Sequence, residues 1–193
     1  MELERYQNII KEKLSQYRYE HSLRVVDTAL VMGSRFGLNP EKVRLAALLH
    51  DYAKDMAPQE LLQIARKENL LSDPVEEYQP ELLHGPVGAF LCKTELGIED
   101  EQVLRAIRYH TTGNEQMSTL GIVIYLADLL EPGRAYKGVG KLRKLCEKDI
   151  RACLLRTLDE SIEYIIRSGK LIHPRTVLAR NWLLKKNKEG LNG

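Results

Sequence analysis

Apolar residues recur every three to four positions along nearly the whole chain, and no stretch alternates apolar with polar as a half-buried strand would. The pattern predicts an all-α protein. A first helix is expected over about Leu3–Gln16 and a second over about Tyr19–Phe36, where His21, Val25, Ala29 and Met32 fall on one stripe. Gly37 ends the second helix. Asn39-Pro40 then restarts the chain with a capping side chain and a residue whose fixed φ suits the first helical turn. The next helix, Glu41 to about Tyr52, is apolar round most of its circumference through Ala46-Ala47-Leu48-Leu49 and is expected at the centre of the fold. Pro58 opens a helix to about Lys67, whereas Asn69–Pro80, with Ser72, Asp73, Pro74 and Pro80, reads as loop. Further helices are expected over about Pro86–Leu96, Asp100–His110, Thr119–Leu130, Lys141–Arg167 with a break near Lys148, and Arg175–Lys186. No repeat, low-complexity segment or linker divides the chain. A single helical bundle over residues 1–193 is expected, with a core over about 18–134 and C-terminal helices, about 141–188, packed on it.

Composition narrows the class without changing that picture. A hydrophobic share of 44% and a charged share of 29% are those of a globular chain that can bury a core. The net charge of +2 gives no ground for whole-surface attraction to nucleic acid or membrane, and Lys185, Lys186 and Lys188 are too few to argue otherwise. The start, Met1-Glu2-Leu3-Glu4-Arg5, does not read as a secretory signal, and the apolar run around Gly121–Leu130 is too short to span a bilayer. Cys92, Cys146 and Cys153 are odd in number and lack Cys-x-x-Cys spacing, as expected of buried thiols in a reducing, cytoplasmic setting.

The histidines and one aspartate carry the chemistry. His21 begins an apolar stripe, His50-Asp51 closes the most apolar of the first helices, His84 precedes Gly85-Pro86, and His110 precedes Thr111-Thr112-Gly113. Asp128 follows Ile122-Val123-Ile124-Tyr125-Leu126-Ala127, where a carboxylate without a partner would cost several kcal/mol. Its partner can be a divalent cation or a basic side chain. Imidazoles mixed with carboxylates suit Fe, Mn, Zn, Co or Ni better than Ca or Mg.

In that order and context these residues resemble the pattern of the HD-domain metal-dependent phosphohydrolases. A closer resemblance, to the YqeK-type subgroup of bacterial symmetrical diadenosine tetraphosphate hydrolases, rests on four segments. These are His50-Asp51-Tyr52-Ala53-Lys54, Leu83-His84-Gly85-Pro86, Tyr109-His110-Thr111-Thr112-Gly113, and Leu126-Ala127-Asp128-Leu129-Leu130-Glu131-Pro132-Gly133-Arg134. The resemblance implies an HD-domain fold and a primary metal site of His21, His50, Asp51 and Asp128. It implies a second site completed by His84 and His110, with Asp51 bridging, and iron as the expected metal. Two ions about 3.5–4 Å apart can hold a bridging hydroxide and clamp phosphoryl oxygens. The implied activity is symmetrical hydrolysis of dinucleoside polyphosphates to two nucleoside diphosphates. A nucleotide phosphatase, a cyclic-nucleotide or alarmone hydrolase, and a non-catalytic nucleotide-binding module stay open as alternatives.

Lys54, near one helical turn after Asp51, can neutralise a phosphate or assist the leaving group. Besides His21, His84, His110 and Asp128, the substrate is expected to meet Arg18, Thr111 and Arg134, and, if the C-terminal part folds back, His173, Arg175 and Arg180. The partner is a nucleotide, with ADP as product; a homodimer is allowed by the pattern and not demanded by it.

Overall fold

The protein is described by a computed structural model over residues 2–189, with side chains described for residues 4–186, so the Lys188 side chain lies outside the described residues. All regular structure among the described residues is helical: α1 (Glu2–Lys13), α2 (Gln16–Ser34), α3 (Pro40–Leu49), α4 (Pro58–Lys67), α5 (Val75–Tyr78), a 3₁₀ turn (Pro80–Leu83), α6 (His84–Leu96), α7 (Glu101–Tyr109), α8 (Thr119–Leu130), α9 (Val139–Lys148), α10 (Ile150–Arg167) and α11 (Pro174–Glu189).

Polar side chains set several of these starts. Asn39 accepts from the amides of Glu41 (2.8 Å) and Lys42 (3.3 Å), and Asp100 from those of Gln102 (2.9 Å) and Val103 (3.1 Å), so each satisfies donors that have no partner inside the helix. Asp149 does the same for α10, which is why the expected Lys141–Arg167 helix divides there. The segment expected to be loop, Asn69–Pro80, instead contains α5 and leads into the 3₁₀ turn. Glu76 turns back within it to accept from Ser72 N (2.7 Å) and Ser72 Oγ (2.8 Å).

Helix α8 is the hub. Its residues from Ile122 to Ala127 are all buried, and it packs against α2, α3 and α7 on one side and α9 and α10 on the other. Helix α3, expected at the centre, lies between α2, α7 and α8 and buries Val43 and Ala46–Leu49. The ends of α3 and α7, the start of α6, the last turn of α8 and the second turn of α2 therefore meet in one interior region. No helix among the described residues is long and apolar enough to cross a membrane. Cys92, Cys146 and Cys153 are buried and unpaired.

Candidate metal centre

Four imidazoles and two carboxylates converge where those helices meet. His21 comes from α2, His50 and Asp51 from the C-terminal end of α3, His84 from the start of α6, His110 from the end of α7 and Asp128 from the last turn of α8. All but Asp128, with 15% of its side chain exposed, are buried.

The ring nitrogens are sorted by their outer partners. His50 Nδ1 donates to Ala47 O (2.7 Å), His84 Nδ1 to Glu81 O (2.6 Å) and His110 Nδ1 to Ile107 O (2.7 Å). A carbonyl only accepts, so each Nδ1 carries the proton and each Nε2 presents a lone pair to the centre. His21 Nδ1 donates instead to the Glu131 carboxylate (3.1 Å).

The inward nitrogens crowd one another and a carboxylate. His84 Nε2 and His110 Nε2 stand 3.0 Å apart, and His21 Nε2 is 3.0 Å from Asp128 Oδ1. His50 Nε2 is buried with no hydrogen-bond partner. Such an arrangement of lone pairs is costly unless cations lie among them. Three groups can each hold an ion: His21, His50 and Asp51; His50, His110 and Asp128; and Asp51, His84 and His110. Asp51 divides its oxygens between two of these. Its Oδ2 lies 3.5 Å from His50 Nε2 and 4.0 Å from His21 Nε2, whereas Oδ1 lies 3.4 Å from both His84 Nε2 and His110 Nε2.

Electrostatics agree with that sorting. Burial lowers the pKa of His50 to about 4, against the pull of Asp51 and Asp128. Burial, reinforced by Lys54 and His110, takes His84 down to about 3. Both are neutral at pH 7, as metal ligands must be. Asp51 titrates together with these rings: burial pushes its carboxyl up, but a proton taken up beside it goes to His50, His110 or His84 instead, which holds the carboxyl well below the usual carboxylate range. Asp128 is also held down: burial acts against ionisation, and His21, His50 and Arg134 overcome it.

Basic and hydroxyl groups rim the cluster. Lys54 Nζ reaches His84 Nε2 (3.1 Å), and Thr111 Oγ1 lies 2.9 Å from that nitrogen and 3.1 Å from His110 Nε2. On the other flank Arg18 Nη1 is 3.6 Å from Asp51 Oδ2, and Arg134 donates to Asp128 through Nη2 (2.5 Å) and Nε (2.8 Å, to the backbone). Asp128 thus has a basic partner as well as histidine. The C-terminal residues take partners outside the cluster. His173 pairs with Glu76 (3.2 Å), Arg175 lies over the Tyr109 ring (4.8 Å to its centre), and Arg180 is bound to Asp159.

Three polar residues escape notice in the sequence as site components. Glu131 is buried and Arg24 donates to it (2.7 Å) from α2, while Arg143 ties Leu130 O, Glu131 O and Arg134 O together at 2.7–2.8 Å. Glu131 lies in the Leu126–Arg134 segment that carries the resemblance and follows Asp128 by three, Arg24 follows His21 by three, and Arg143 has no signal of either kind.

Residues 18–133 match the family model of the HD domain. This chain belongs to the HD-domain family. Among relatives, the symmetrical bis(5'-nucleosyl)-tetraphosphatase of Bacillus subtilis is 39% identical over 175 residues, covering 91% of this chain and 94% of that protein. The Staphylococcus aureus protein of the same name is 35% identical over 184 residues, 94% of each. The crystal structure of a "predicted HD superfamily hydrolase involved in NAD metabolism" from Clostridium acetobutylicum superposes with a TM-score of 0.92 at 38% identity, covering 95% of this chain and 97% of that one.

Close helix packing is what brings the two halves of the HD-domain site together. A Cβ on Gly85 would stand 2.7 Å from Arg108 O, so this glycine lets the start of α6 approach the end of α7 and sets His84 against His110. Gly85→Ala is expected to destabilise the protein by about 1–3 kcal/mol, because backbone must move to admit the methyl group. Urea unfolding of the variant beside the parent checks this.

Proposed function

We propose that this protein hydrolyses diadenosine tetraphosphate and related dinucleoside polyphosphates at the centre of the phosphate chain, giving two nucleoside diphosphates, and that it does so with divalent transition-metal ions, iron foremost. The observation that carries the reading is the division of Asp51, one oxygen toward the His21–His50 pair and the other toward the His84–His110 pair. His21, His50, Asp51 and Asp128 would hold one ion; His84, His110 and the other oxygen of Asp51 would hold a second. Mixed imidazole and carboxylate donors suit iron, and manganese, cobalt, nickel or zinc fit the same set. Bound there, such ions lower the pKa of water and polarise phosphoryl oxygens.

The chain's own residues supply positioning and charge. Attack by water at one of the two central phosphorus atoms, in line with the bridging oxygen, breaks that P–O bond and releases two equal halves. Central cleavage places anionic phosphates on both sides of the reacting atom. Basic groups flank the cluster on both sides: Arg18 and Arg134 by Asp51 and Asp128, Lys54 by His84. Arg18 and Arg134 can fork onto phosphate oxygens. Lys54 is partly desolvated, and burial lowers its pKa against the pull of Asp51 and Asp128, so it can give a proton to the departing diphosphate. Thr111 adds a hydroxyl on that flank. His173, Arg175 and Arg180, engaged elsewhere, are not needed in this reading. The names of the B. subtilis and S. aureus relatives support the substrate, and the three unpaired buried cysteines support a cytoplasmic setting.

The test is to purify the protein anaerobically, quantify bound iron, manganese and zinc, and follow diadenosine tetraphosphate by chromatography. ADP as sole product is the expected result. ATP with AMP would move the attack off centre, and an intact dinucleotide beside cleavage of other nucleotides would sink the substrate assignment.

A further inference from the structure

The four histidines of the cluster are not held alike. His50, His84 and His110 each give the Nδ1 proton to a neutral backbone carbonyl three residues back. His21 gives its proton to a carboxylate supplied 110 positions away. That carboxylate, Glu131, is built in. It is 1% exposed; Oε1 takes His21, and Oε2 takes Arg24 Nε (2.7 Å) and Gly133 N (2.5 Å). Arg143 pins the backbone carbonyl of the same residue (2.7 Å).

We propose that Glu131, clamped by Arg24 and Gly133, is a positioning residue that acts through His21 to make the two halves of the metal centre unequal, so that the ion on the His21 side is bound more tightly than the ion on the His84–His110 side. This rests on the proposal that the cluster holds divalent ions. A carboxylate partner draws the Nδ1 proton more strongly than a carbonyl does, so electron density at Nε2 rises and the imidazole becomes a stronger donor. Asp128 Oδ1, 3.0 Å from His21 Nε2 and paired with Arg134, offers the His21 half a second carboxylate donor, whereas the other half has two carbonyl-bonded histidines and one oxygen of Asp51. Arg24 and Gly133 contact the oxygen that His21 does not use. They aim the carboxylate, an aim that Gly133 N and an amide donor at position 24 preserve, and the charge on Glu131 itself is what reaches the ion.

Two measurements separate this from a merely structural clamp. In the metal-free native protein, the Nδ1 proton of His21 should resonate downfield of those of His50, His84 and His110 in histidine-selective NMR; four equivalent shifts would overturn the proposal without any variant or metal. In the second, manganous ion is titrated into the metal-free protein, R24Q, and the double variant R24Q/E131Q. The double variant exchanges the ion pair for two amides that can bond to each other, leaving an acceptor for His21 and removing the charge. Its tightest binding step should weaken about 10–100-fold while the R24Q step stays within about threefold of the parent. Equal loss in both variants, or no loss in the double variant, would overturn it. Failure of the parent itself to bind manganous ion would strike the metal reading instead.

Discussion

Asp51→Asn is expected to lower turnover of diadenosine tetraphosphate on the order of a thousandfold, about 4 kcal/mol of barrier, and to abolish retention of both ions. The two effects share one cause. Each oxygen of Asp51 faces a different pair of imidazole lone pairs, so the residue links the His21–His50 and His84–His110 groups through separate oxygens. An amide keeps the shape and one acceptor but turns an NH₂ toward whichever pair it faces, donating where a cation would sit. That donation satisfies buried nitrogens that otherwise confront each other, so the variant should unfold at the same or a higher urea concentration than the metal-free parent. Loss of activity with stability kept identifies a residue held for chemistry at the expense of packing. Metal analysis, product chromatography and urea melts on one preparation check all three. A variant that kept both ions and its turnover would exclude Asp51 as their bridge.

The metal-free protein should also weaken steeply in mild acid. His50 and His84, with folded pKa values of about 4 and about 3, stay neutral when an unfolded chain would take up protons near pH 6.5. Between about 6.5 and those lower values the unfolded state binds more protons than the native one, so stability falls as pH falls. Asp51 and Asp128, held below the usual carboxylate range, extend the loss in the same direction below about pH 4. The two histidines together give a loss on the order of 5 kcal/mol by pH 4. Bound metal keeps protons off its ligands in the native state and is released as they titrate, so it adds most stability at the high-pH end and should steepen the profile. Urea midpoints from pH 8 to pH 4, with chelator and with manganous ion, check both; identical flat curves would mean that the histidines do not carry the burial cost assigned to them.

The parts read most directly from the sequence are those whose cause is local. Asn39-Pro40 and Asp100 stand at helix starts because their side chains bond the next few amides, an arrangement contained within four residues. Short helices carry too little periodicity to register, and so Val75–Tyr78 and Pro80–Leu83 look like loop. The start of α6 is read one turn section late, at Pro86, because His84 serves the preceding 3₁₀ turn as well. In the site, the histidines and aspartates stand out by residue type against apolar surroundings. Glu131 does not. It resembles an ordinary acid after a helix, and its interior role rests on partners from α2, His21 and Arg24, that stand 110 and 107 positions away. The C-terminal basic residues show the converse, since charge and spacing suggest a ligand while Glu76, Tyr109 and Asp159 already engage them.

The backbone carbonyls behind His50, His84 and His110 bear on how this chain can drift. A carbonyl is present whatever side chain its residue carries, so Ala47, Glu81 and Ile107 can be exchanged over generations without turning the rings they hold. Three of the four imidazoles therefore keep their aim by inheritance of helix geometry alone. The fourth depends on residue identity at 131, so a change there should bring a matching change at 24, whose side chain bonds the other oxygen.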